Sequence, residues 1–520
     1  MILKIASAKK TMRGAVFGII NKVVIIIMPF ILRTIIIHRI GTDYAGLNSL
    51  FTSILRVLNM AELGFASAAA FSLYKPAAED DTEKICALLS FYRKIYYAVG
   101  GVMLVIGLCL LPFLDHLIKG SYPDDINLQI LYIIYLVDSA SSYFLFSYKN
   151  LILNVYQRVD IISIISTILH MAVYLVQVVV LYVFRAYYAF VILDVVYTVF
   201  NNLFVARYVS KHYPQFQCRG TLSSEEKKDI IKNSYGMLLF RICNVTRNSL
   251  DTVFISAYIG LTAATIYGNY YYIFAGVASI QTIIRESMKG GIGNRIATQT
   301  PEKNHEEMMT FIYLYAWLSG ICTVCLLCLY QPFVQIWVGK DLMLNEPTMI
   351  MFCAYFYIAT MGSIRFLYHQ SAGLFWVKRY WTLAEAGINL LCNWLFVQWW
   401  GMFGVITATI VSLLIIDFGY STTIVYDYYF KNGKIKEYFL KHGLYLIYTF
   451  LGCAPAYFAC KWIPVGGIPG LVIRLVVCLV ISNAVFFVCY SRHAEFQPAK
   501  QLAFKVLGMV KKKRVKNSTD

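Results

Sequence analysis

The chain has 520 residues, of which 59% are hydrophobic, and its formal net charge is +18 at pH 7. A mean hydropathy of +0.61 over this length excludes an ordinary soluble globular protein. Most of the basic residues lie between long apolar segments, a pattern that indicates membrane topology and does not favour nucleic-acid binding.

Fourteen apolar segments follow one another along the chain, each near the roughly 20 residues that a membrane-spanning helix needs. They cover residues 14–38, 44–74, 92–115, 127–149, 160–184, 188–206, 235–260, 265–289, 308–337, 348–369, 381–400, 403–426, 444–462 and 468–490. The loops between them are short and leave no room for an extracellular catalytic domain. We therefore predict an all-α, polytopic membrane protein that is not an enzyme.

Lysine and arginine residues alternate in density from loop to loop. If residue 1 is cytoplasmic, 34 of the 46 lie in cytoplasmic segments or at the cytoplasmic ends of the spans, and only five lie in external loops or at external span ends. These five are Arg39, Lys119, Arg185, Lys340 and Lys461. The positive-inside rule then predicts that both termini are cytoplasmic, with residues 491–520 forming a basic tail.

Thirteen cysteines are scattered along the chain, mostly inside the predicted spans. This distribution argues against a disulfide framework. Cys322, Cys325 and Cys328 are three residues apart, but no histidine or acidic residue accompanies them. We expect them to pack in the protein interior, and we predict no metal site.

The two halves of the chain resemble each other at a nearly constant offset of 219 residues. The matches run in order through Ile40-Gly41, Glu83-Lys84, Tyr96, Gly101, Pro112-Phe113, Gly120 and Gln157-Arg158, which correspond to Ile259-Gly260, Glu302-Lys303, Tyr315, Gly320, Pro332-Phe333, Gly339 and Lys378-Arg379. The pattern indicates a duplication in which both copies enter the membrane from the same side. We predict an N-lobe at 1–220 with helices 1–6, a C-lobe at 221–440 with helices 7–12, and two extra helices at 441–490.

Charged residues inside the spans are costly, at about 2.5–3.5 kcal/mol each near the membrane centre, so they indicate pairing or function. The cations are Lys22, Arg33, Arg56, Arg241, Arg247, Arg365 and Arg474, and the clearest acids are Glu62, Asp138, Asp194, Asp251 and Asp417. Arg33 and Glu385 lie near span edges, where side chains can reach the interface, and we set them aside.

Lys22 and Arg241 occupy equivalent positions in the two repeats, because they are 219 residues apart. A cleft lined by these cations favours an anion, and the planar fork of arginine suits phosphate. We therefore predict a pyrophosphate-binding set that comprises Lys22, Arg56, Arg241, Arg247 and Arg365.

Each charged group also has a structural alternative. Arg247 and Asp251 are four residues apart and could form an internal ion pair on one helix. Asp138, Asp194 and Asp417 are candidates for coupling to H⁺ or Na⁺, or they pair with cations across helices. For Arg474 we favour a structural role.

The stretch from Arg39 to Leu47, then Glu62-Leu63-Gly64 and Leu73-Tyr74-Lys75-Pro76, resembles the bacterial polysaccharide transporters. These are oligosaccharide flippases of the multidrug/oligosaccharidyl-lipid/polysaccharide exporter superfamily. The stretch from Asp251 to Ser256, with Ile259-Gly260 and Tyr267-Gly268, resembles their seventh and eighth helices. The resemblance covers nearly the whole chain and implies fourteen helices in a six-plus-six-plus-two arrangement.

The resemblance implies alternating-access transport of a polyprenyl-pyrophosphate-linked oligosaccharide from the cytoplasmic to the outer leaflet of the bacterial inner membrane. The implied partners are this lipid-linked substrate, membrane lipids and other membrane proteins of polysaccharide assembly. No cofactor beyond a coupling ion is implied, and no nucleic acid. A cation or multidrug antiporter of the same superfamily is the alternative, although it would require a predominantly acidic cavity.

Overall fold

The computed structural model describes residues 24–25, 27–59, 72–77, 79–156 and 158–502. The side chains at 229, 232–238, 240–242, 244, 247 and 248 lie outside this description. The principal helices are α1 (Thr42–Leu58), α2 (Thr82–Leu110), α3 (Leu128–Phe144), α4 (Asn150–Val155), α5 (Val159–Val179), α6 (Tyr187–His212), α7 (Ser224–Tyr258), α8 (Leu261–Thr298), α9 (Pro301–Val338), α10 (Glu346–Met361), α11 (Ser363–Ser371), α12 (Phe375–Ser412), α13 (Ser421–Val425), α14 (Ile435–Lys461) and α15 (Gly467–Tyr490). No strand occurs among these described residues.

Several helices begin at a polar side chain that accepts a hydrogen bond from the first turn. Asp81 accepts from the amide of Lys84, and Asn127 accepts from that of Ile130. Ser223 and Glu226 form a reciprocal capping box at the start of α7. Such caps satisfy amides that have no partner within the helix, so they fix where each helix begins.

The prediction of an all-helical polytopic membrane protein is confirmed. Eight described helical stretches are long and apolar enough to cross a membrane, and a ninth is formed if α3 and the helical segment after it, bent by 46°, count as one span. The described helices follow the predicted spans in order along the chain. The number fourteen stays a prediction, because the first two spans include residues outside the description.

The helix α12 and its continuation to Phe430 extend over 56 residues, which would be about 84 Å if straight. Gly401 interrupts it with φ 56° and ψ −133°, a conformation that favours glycine. A Cβ on Gly404 would lie 2.1 Å from the carbonyl oxygen of Phe396. Eight residues of straight helix would separate these positions by about 12 Å, so the chain reverses at Gly401. The predicted break between spans eleven and twelve falls at this point.

The chain divides into two compact units. The first comprises the residues up to Gly268 together with Asn393–Val405, and the second comprises Asn269–Cys392 and the residues from Ile406 onward. Each unit therefore contains a sequence-distant segment of α12. The predicted lobe boundaries at 220 and 440 follow the sequence repeat, whereas the compact units are defined by packing. These boundaries stay a prediction.

Glycines that match in the sequence repeat have similar backbone angles. Gly41 has φ 147° and its match Gly260 has φ 127°, while Gly120 and Gly339 have φ 92° and 91°. All four lie in the region that side-chain-bearing residues avoid. The repeat thus preserves turns that require glycine, which explains why these residues were among the visible matches.

The segment after Gly41 packs against the start of α8 within the first unit. Thr262 donates a hydrogen bond of 2.9 Å to Asp43, and these two residues are themselves 219 positions apart. Thr265 donates to the carbonyl oxygen of Thr42. A Cβ on Gly46 would lie 2.5 Å from the carbonyl oxygen of Leu261, so a glycine is needed for this approach.

Candidate functional site

The predicted pyrophosphate ligands are distributed over both units. Lys22 lies outside the described residues, and so does Glu62. Arg241 and Arg247 lie on α7, but their side chains are outside the description. Arg56 is in the last turn of α1 with an exposed side chain.

Arg365 is the predicted ligand whose surroundings are best defined, and it lies in the second unit. Its side chain on α11 is 1% exposed and makes a 2.8 Å ion pair with Oδ2 of Asp417. Lys378 Nζ contacts the other carboxylate oxygen of Asp417 at 3.0 Å and lies 3.8 Å from Glu385. We call Arg365, Lys378, Glu385 and Asp417 the buried charge cluster.

The buried charge cluster balances two cations with two carboxylates, so its formal charge is zero. This balance is what allows charged groups to lie within an apolar span, since an isolated buried ion costs several kcal/mol. Asp417 is the most accessible member, with 26% of its side chain exposed, against 1% for Arg365. An ion or ligand that approaches the cluster therefore meets Asp417 first.

Histidines border the cluster without taking part in its hydrogen bonds. His369 is buried two positions beyond Leu367 on α11, and His442 is buried on α14. Among the residues that the structure describes, neither ring nitrogen of either histidine has a hydrogen-bond partner. His442 instead packs between Tyr438 and Phe418, with ring centroids 4.3 and 5.1 Å away. Buried polar atoms of this kind mark sites where water or an ion can be accommodated.

Asp138 and Asp194, two of the proposed coupling carboxylates, belong to the first unit. Thr198 on α6 donates a 2.6 Å hydrogen bond to Asp138 on α3. Gln177 on α5 donates a 2.8 Å hydrogen bond to Asp194. Asp194 lies on α6, one turn before Thr198. In the described part of this unit neither carboxylate has an ion-pair partner, so both are held by neutral donors. A carboxylate held in this way responds to a proton or a small cation.

Asp251 is also buried in the first unit. It accepts hydrogen bonds of 3.0 Å from the Tyr267 hydroxyl and 2.9 Å from the Asn393 side-chain amide. The predicted pair with Arg247 depends on a side chain outside the description. Asp251 thus connects α7, α8 and α12, whatever the position of Arg247.

Several charged residues outside the predicted site are buried. Arg33 and Glu385, which we set aside as interfacial, are both buried. Arg33 donates to Ser49 at 3.0 Å and to the carbonyl oxygen of Thr265 at 2.9 Å. Lys378 was noted only as part of a repeat match. Its spacing of seven residues from Glu385 is two helical turns, and this was the available signal for a shared helix face.

Arg474, for which we favoured a structural role, binds the end of α14. Its guanidinium donates to the carbonyl oxygens of Cys460, Ile463 and Val465 at 3.2, 2.9 and 3.2 Å. The arginine therefore binds the carbonyl oxygens at the end of α14 and in the segment just beyond it, and so caps the helix.

Comparison with solved structures identifies a lipid flippase and several membrane transporters. The lipid II flippase MurJ, in an inward closed conformation, is similar with a TM-score of 0.65 at 13% identity, covering 92% of this chain and 99% of MurJ. An inward-facing multidrug resistance MATE transporter of the MOP superfamily is similar with a TM-score of 0.61 at 14% identity. The match covers 76% of this chain and 94% of that transporter. A MOP superfamily transporter from Pyrococcus furiosus is similar with a TM-score of 0.53 at 14% identity, and its binding pocket is described as having reverse polarity. The match covers 80% of this chain and 96% of that transporter.

No protein-family model matches the chain. No curated protein matches it in sequence. The chain therefore has the fold of MOP superfamily transporters, the superfamily that the sequence resemblance indicated, and it is a multi-pass membrane protein. At 13–14% identity this likeness concerns the fold, and the polysaccharide-transporter subfamily stays a prediction.

Proposed function

We propose that this protein is a flippase that moves a polyprenyl-pyrophosphate-linked oligosaccharide from the cytoplasmic to the outer leaflet by alternating access, for surface polysaccharide assembly. The observation that carries the proposal is the extent of the structural match. MurJ covers 92% of this chain, whereas the inward-facing MATE transporter covers 76%. The longer match favours a lipid-linked substrate over a small cation.

The proposed pyrophosphate ligands are the predicted cations Lys22, Arg56, Arg241, Arg247 and Arg365. Arg365 is the one whose contacts are described, and it would bind phosphate by exchanging its partner, because a diphosphate presents the same paired oxygens as the Asp417 carboxylate. Asp417 keeps Lys378 as its counter-ion after this exchange.

Asp417 is then the residue through which an ion would drive transport. Protonation, or a bound Na⁺, would weaken its 2.8 Å pair with Arg365 and free the guanidinium for substrate. Asp138 and Asp194 are the other candidates for this coupling. The coupling ion is H⁺ or Na⁺, and the proposal needs no nucleotide and no catalysis.

An ion-coupled multidrug or cation antiporter is the second candidate. The observation that favours it is the pair of carboxylates Asp138 and Asp194, which hold no described cation and receive only neutral donors. Similarity to MATE transporters is consistent with it. A cationic substrate would bind to these acids, whereas a pyrophosphate would be repelled by them.

We place the protein in the bacterial inner membrane with both termini cytoplasmic, on the basis of the 34-to-5 distribution of basic residues. Its partners are membrane lipids, the lipid-linked oligosaccharide and other membrane proteins of polysaccharide assembly.

Reconstitution tests the proposal. Proteoliposomes that contain a fluorescent lipid-pyrophosphate oligosaccharide should show protein-dependent leaflet exchange, measured as dye accessible to an external quencher. Lys22→Ala and Arg241→Ala should each slow the exchange at least tenfold, since each removes a charge-assisted contact of about 1.5–3 kcal/mol. Lys75→Ala is the matched control, because Lys75 is exposed and has only a surface pair with Glu79.

The same vesicles distinguish the antiporter. Efflux of a cationic dye that is lost in Asp138→Asn and Asp194→Asn, together with no exchange of the lipid-linked oligosaccharide, would replace the flippase by the second candidate. Unchanged exchange in both cation variants would remove Lys22 and Arg241 from the site.

A further inference from the structure

Three cysteines from three helices meet in the core of the second unit. They are Cys328 on α9, Cys460 in the last turn of α14 and Cys478 on α15, and all are buried. Their Sγ atoms all lie within 4.8 Å of one another, and those of Cys460 and Cys478 are 3.5 Å apart. We call these residues the cysteine triad. A metal ion bonded to three thiolates at about 2.3 Å holds the sulfur atoms about 4 Å apart, which matches this spacing.

The triad differs from the arrangement that the sequence analysis considered. That expectation concerned Cys322, Cys325 and Cys328, which all lie on one helix. The structure instead brings Cys328 together with two cysteines that follow it by 132 and 150 residues, from the two helices beyond the repeat. Thiol-only clusters bind soft cations, so histidine and acidic ligands are not required.

Charge near the triad also favours a metal–thiolate centre. Arg474 lies four residues before Cys478, one turn away on the same face of α15. Its guanidinium is bound to the carbonyl oxygen of Cys460 at 3.2 Å, which fixes a permanent cation beside the sulfur atoms. Binding to all three sulfur atoms would release their protons, and copper(I) or another monovalent cation with three thiolates carries a charge of −2. Arg474 offsets one of these negative charges and so lowers the cost of burying the centre in apolar surroundings.

We propose that the cysteine triad binds one copper(I) ion. Soft thiolate ligands select copper(I) and zinc, but structural zinc sites take four ligands. Only three sulfur atoms converge here among the described residues, which suits copper(I). The ion would link α9, α14 and α15 and so attach the two extra helices to the rest of the second unit.

An entry route is provided by the position of Cys460. It is one residue before the end of α14, and the following segment from Trp462 to Gly466 is largely exposed. The triad therefore lies just inside the end of the helix, next to an exposed segment.

Anaerobic copper binding tests the proposal on the purified full-length protein in nanodiscs. Copper(I) is titrated in competition with bicinchoninate, and the bound metal is counted by mass spectrometry. Wild type should retain one copper per chain, and X-ray absorption should show only sulfur neighbours at about 2.3 Å. Copper should also raise the thermal unfolding midpoint.

The matched control is Cys325→Ser/Cys453→Ser, because both residues are partly buried on α9 and α14 and pack against the same core. It should keep the copper, whereas Cys328→Ser/Cys460→Ser/Cys478→Ser should lose it. If the triple variant does not fold, the wild-type absorption spectrum decides alone. Oxygen or nitrogen neighbours, no copper above the bicinchoninate background, or preferential binding of zinc would each overturn the proposal.

Discussion

Asp417 is the residue on which the buried charge cluster depends. It contacts both Arg365 and Lys378, whose side chains are almost entirely buried. Without Asp417, Arg365 would be an uncompensated buried charge, and Lys378 would keep only Glu385, 3.8 Å away. A single carboxylate therefore stabilises two helices that approach it from different parts of the chain.

Asp417→Asn should lower the free energy of unfolding by about 3–5 kcal/mol, because it removes the charge that two buried cations share. Thermal unfolding in detergent, followed by tryptophan fluorescence, measures this loss. Asp427→Asn, at an exposed position nearby, should leave the unfolding midpoint unchanged. Equal midpoints for the two variants would mean that the cluster contributes nothing to stability.

Gly362 leaves space for the ion pair of Arg365 and Asp417. A Cβ at this position would lie 3.1 Å from both Arg365 Nη2 and Asp417 Oδ2. Gly362→Ala should therefore destabilise the protein by about 1–3 kcal/mol through crowding. Gly443→Ala has open space around it and lies inside α14, so the same measurement should show equal or greater stability. Unchanged stability of the Gly362→Ala variant would indicate that the ion pair of Arg365 and Asp417 can shift without cost.

Sequence reasoning found Arg365 and Asp417 as charged residues in apolar segments, but it could not pair them. The two are 52 positions apart, and no local periodicity relates them. Lys378 and Glu385 were within reach of a periodicity argument, since they share a helix face. The cysteine triad could not be predicted from periodicity, because its members come from three helices that only tertiary packing brings together.

At the scale of elements, α12 shows how one glycine determines a reversal. Hydropathy correctly predicted two spans separated near residues 401–402, because each arm is a continuous apolar stretch. It did not predict that the helix continues on both sides of Gly401 almost without a loop. Asn389 and Thr409, on opposite arms, are joined by a 3.2 Å hydrogen bond.

Gly401→Ala should lower the free energy of unfolding by about 1–3 kcal/mol, because the new side chain must adopt φ near 56° with ψ near −133°. The nearest side-chain atom would be 3.7 Å away, so the effect would come from the backbone alone. Chemical denaturation of the purified protein measures it. Gly387→Ala, in open space within the first arm, serves as the control and should be neutral or stabilising. Similar behaviour of the two variants would contradict a glycine-dependent reversal.

At the scale of the whole molecule, spans and basic loops were predictable because hydropathy and charge are local properties. The repeat was also visible, since positions with unusual backbone angles, such as Gly41 and Gly260, favour glycine over other residues. The division into two compact units could not be predicted, because Asn393–Val405 belongs with residues far from it in sequence. The substrate likewise leaves no spacing signature.

Reporter fusions test the predicted orientation. Green fluorescent protein joined after residue 520 should fluoresce, because it does so on the cytoplasmic side of the membrane. Alkaline phosphatase joined there should be inactive, because it is active only on the external side. Alkaline phosphatase joined after Lys340 should be active, since that loop carries one of the five external basic residues. Activity of the phosphatase at the C-terminus would reverse the orientation and with it the direction of transport.

The buried charge cluster also has a consequence during synthesis. The ribosome makes Arg365 and Lys378 before Asp417, by 52 and 39 residues. At about 5–20 residues per second, the interval for Arg365 is roughly 3–10 s. During this interval Arg365 lacks its carboxylate partner, and a charge near the centre of an apolar helix costs about 2.5–3.5 kcal/mol. We therefore expect α11 to become stably integrated only together with the segment that carries Asp417, so that these helices enter the membrane as a group.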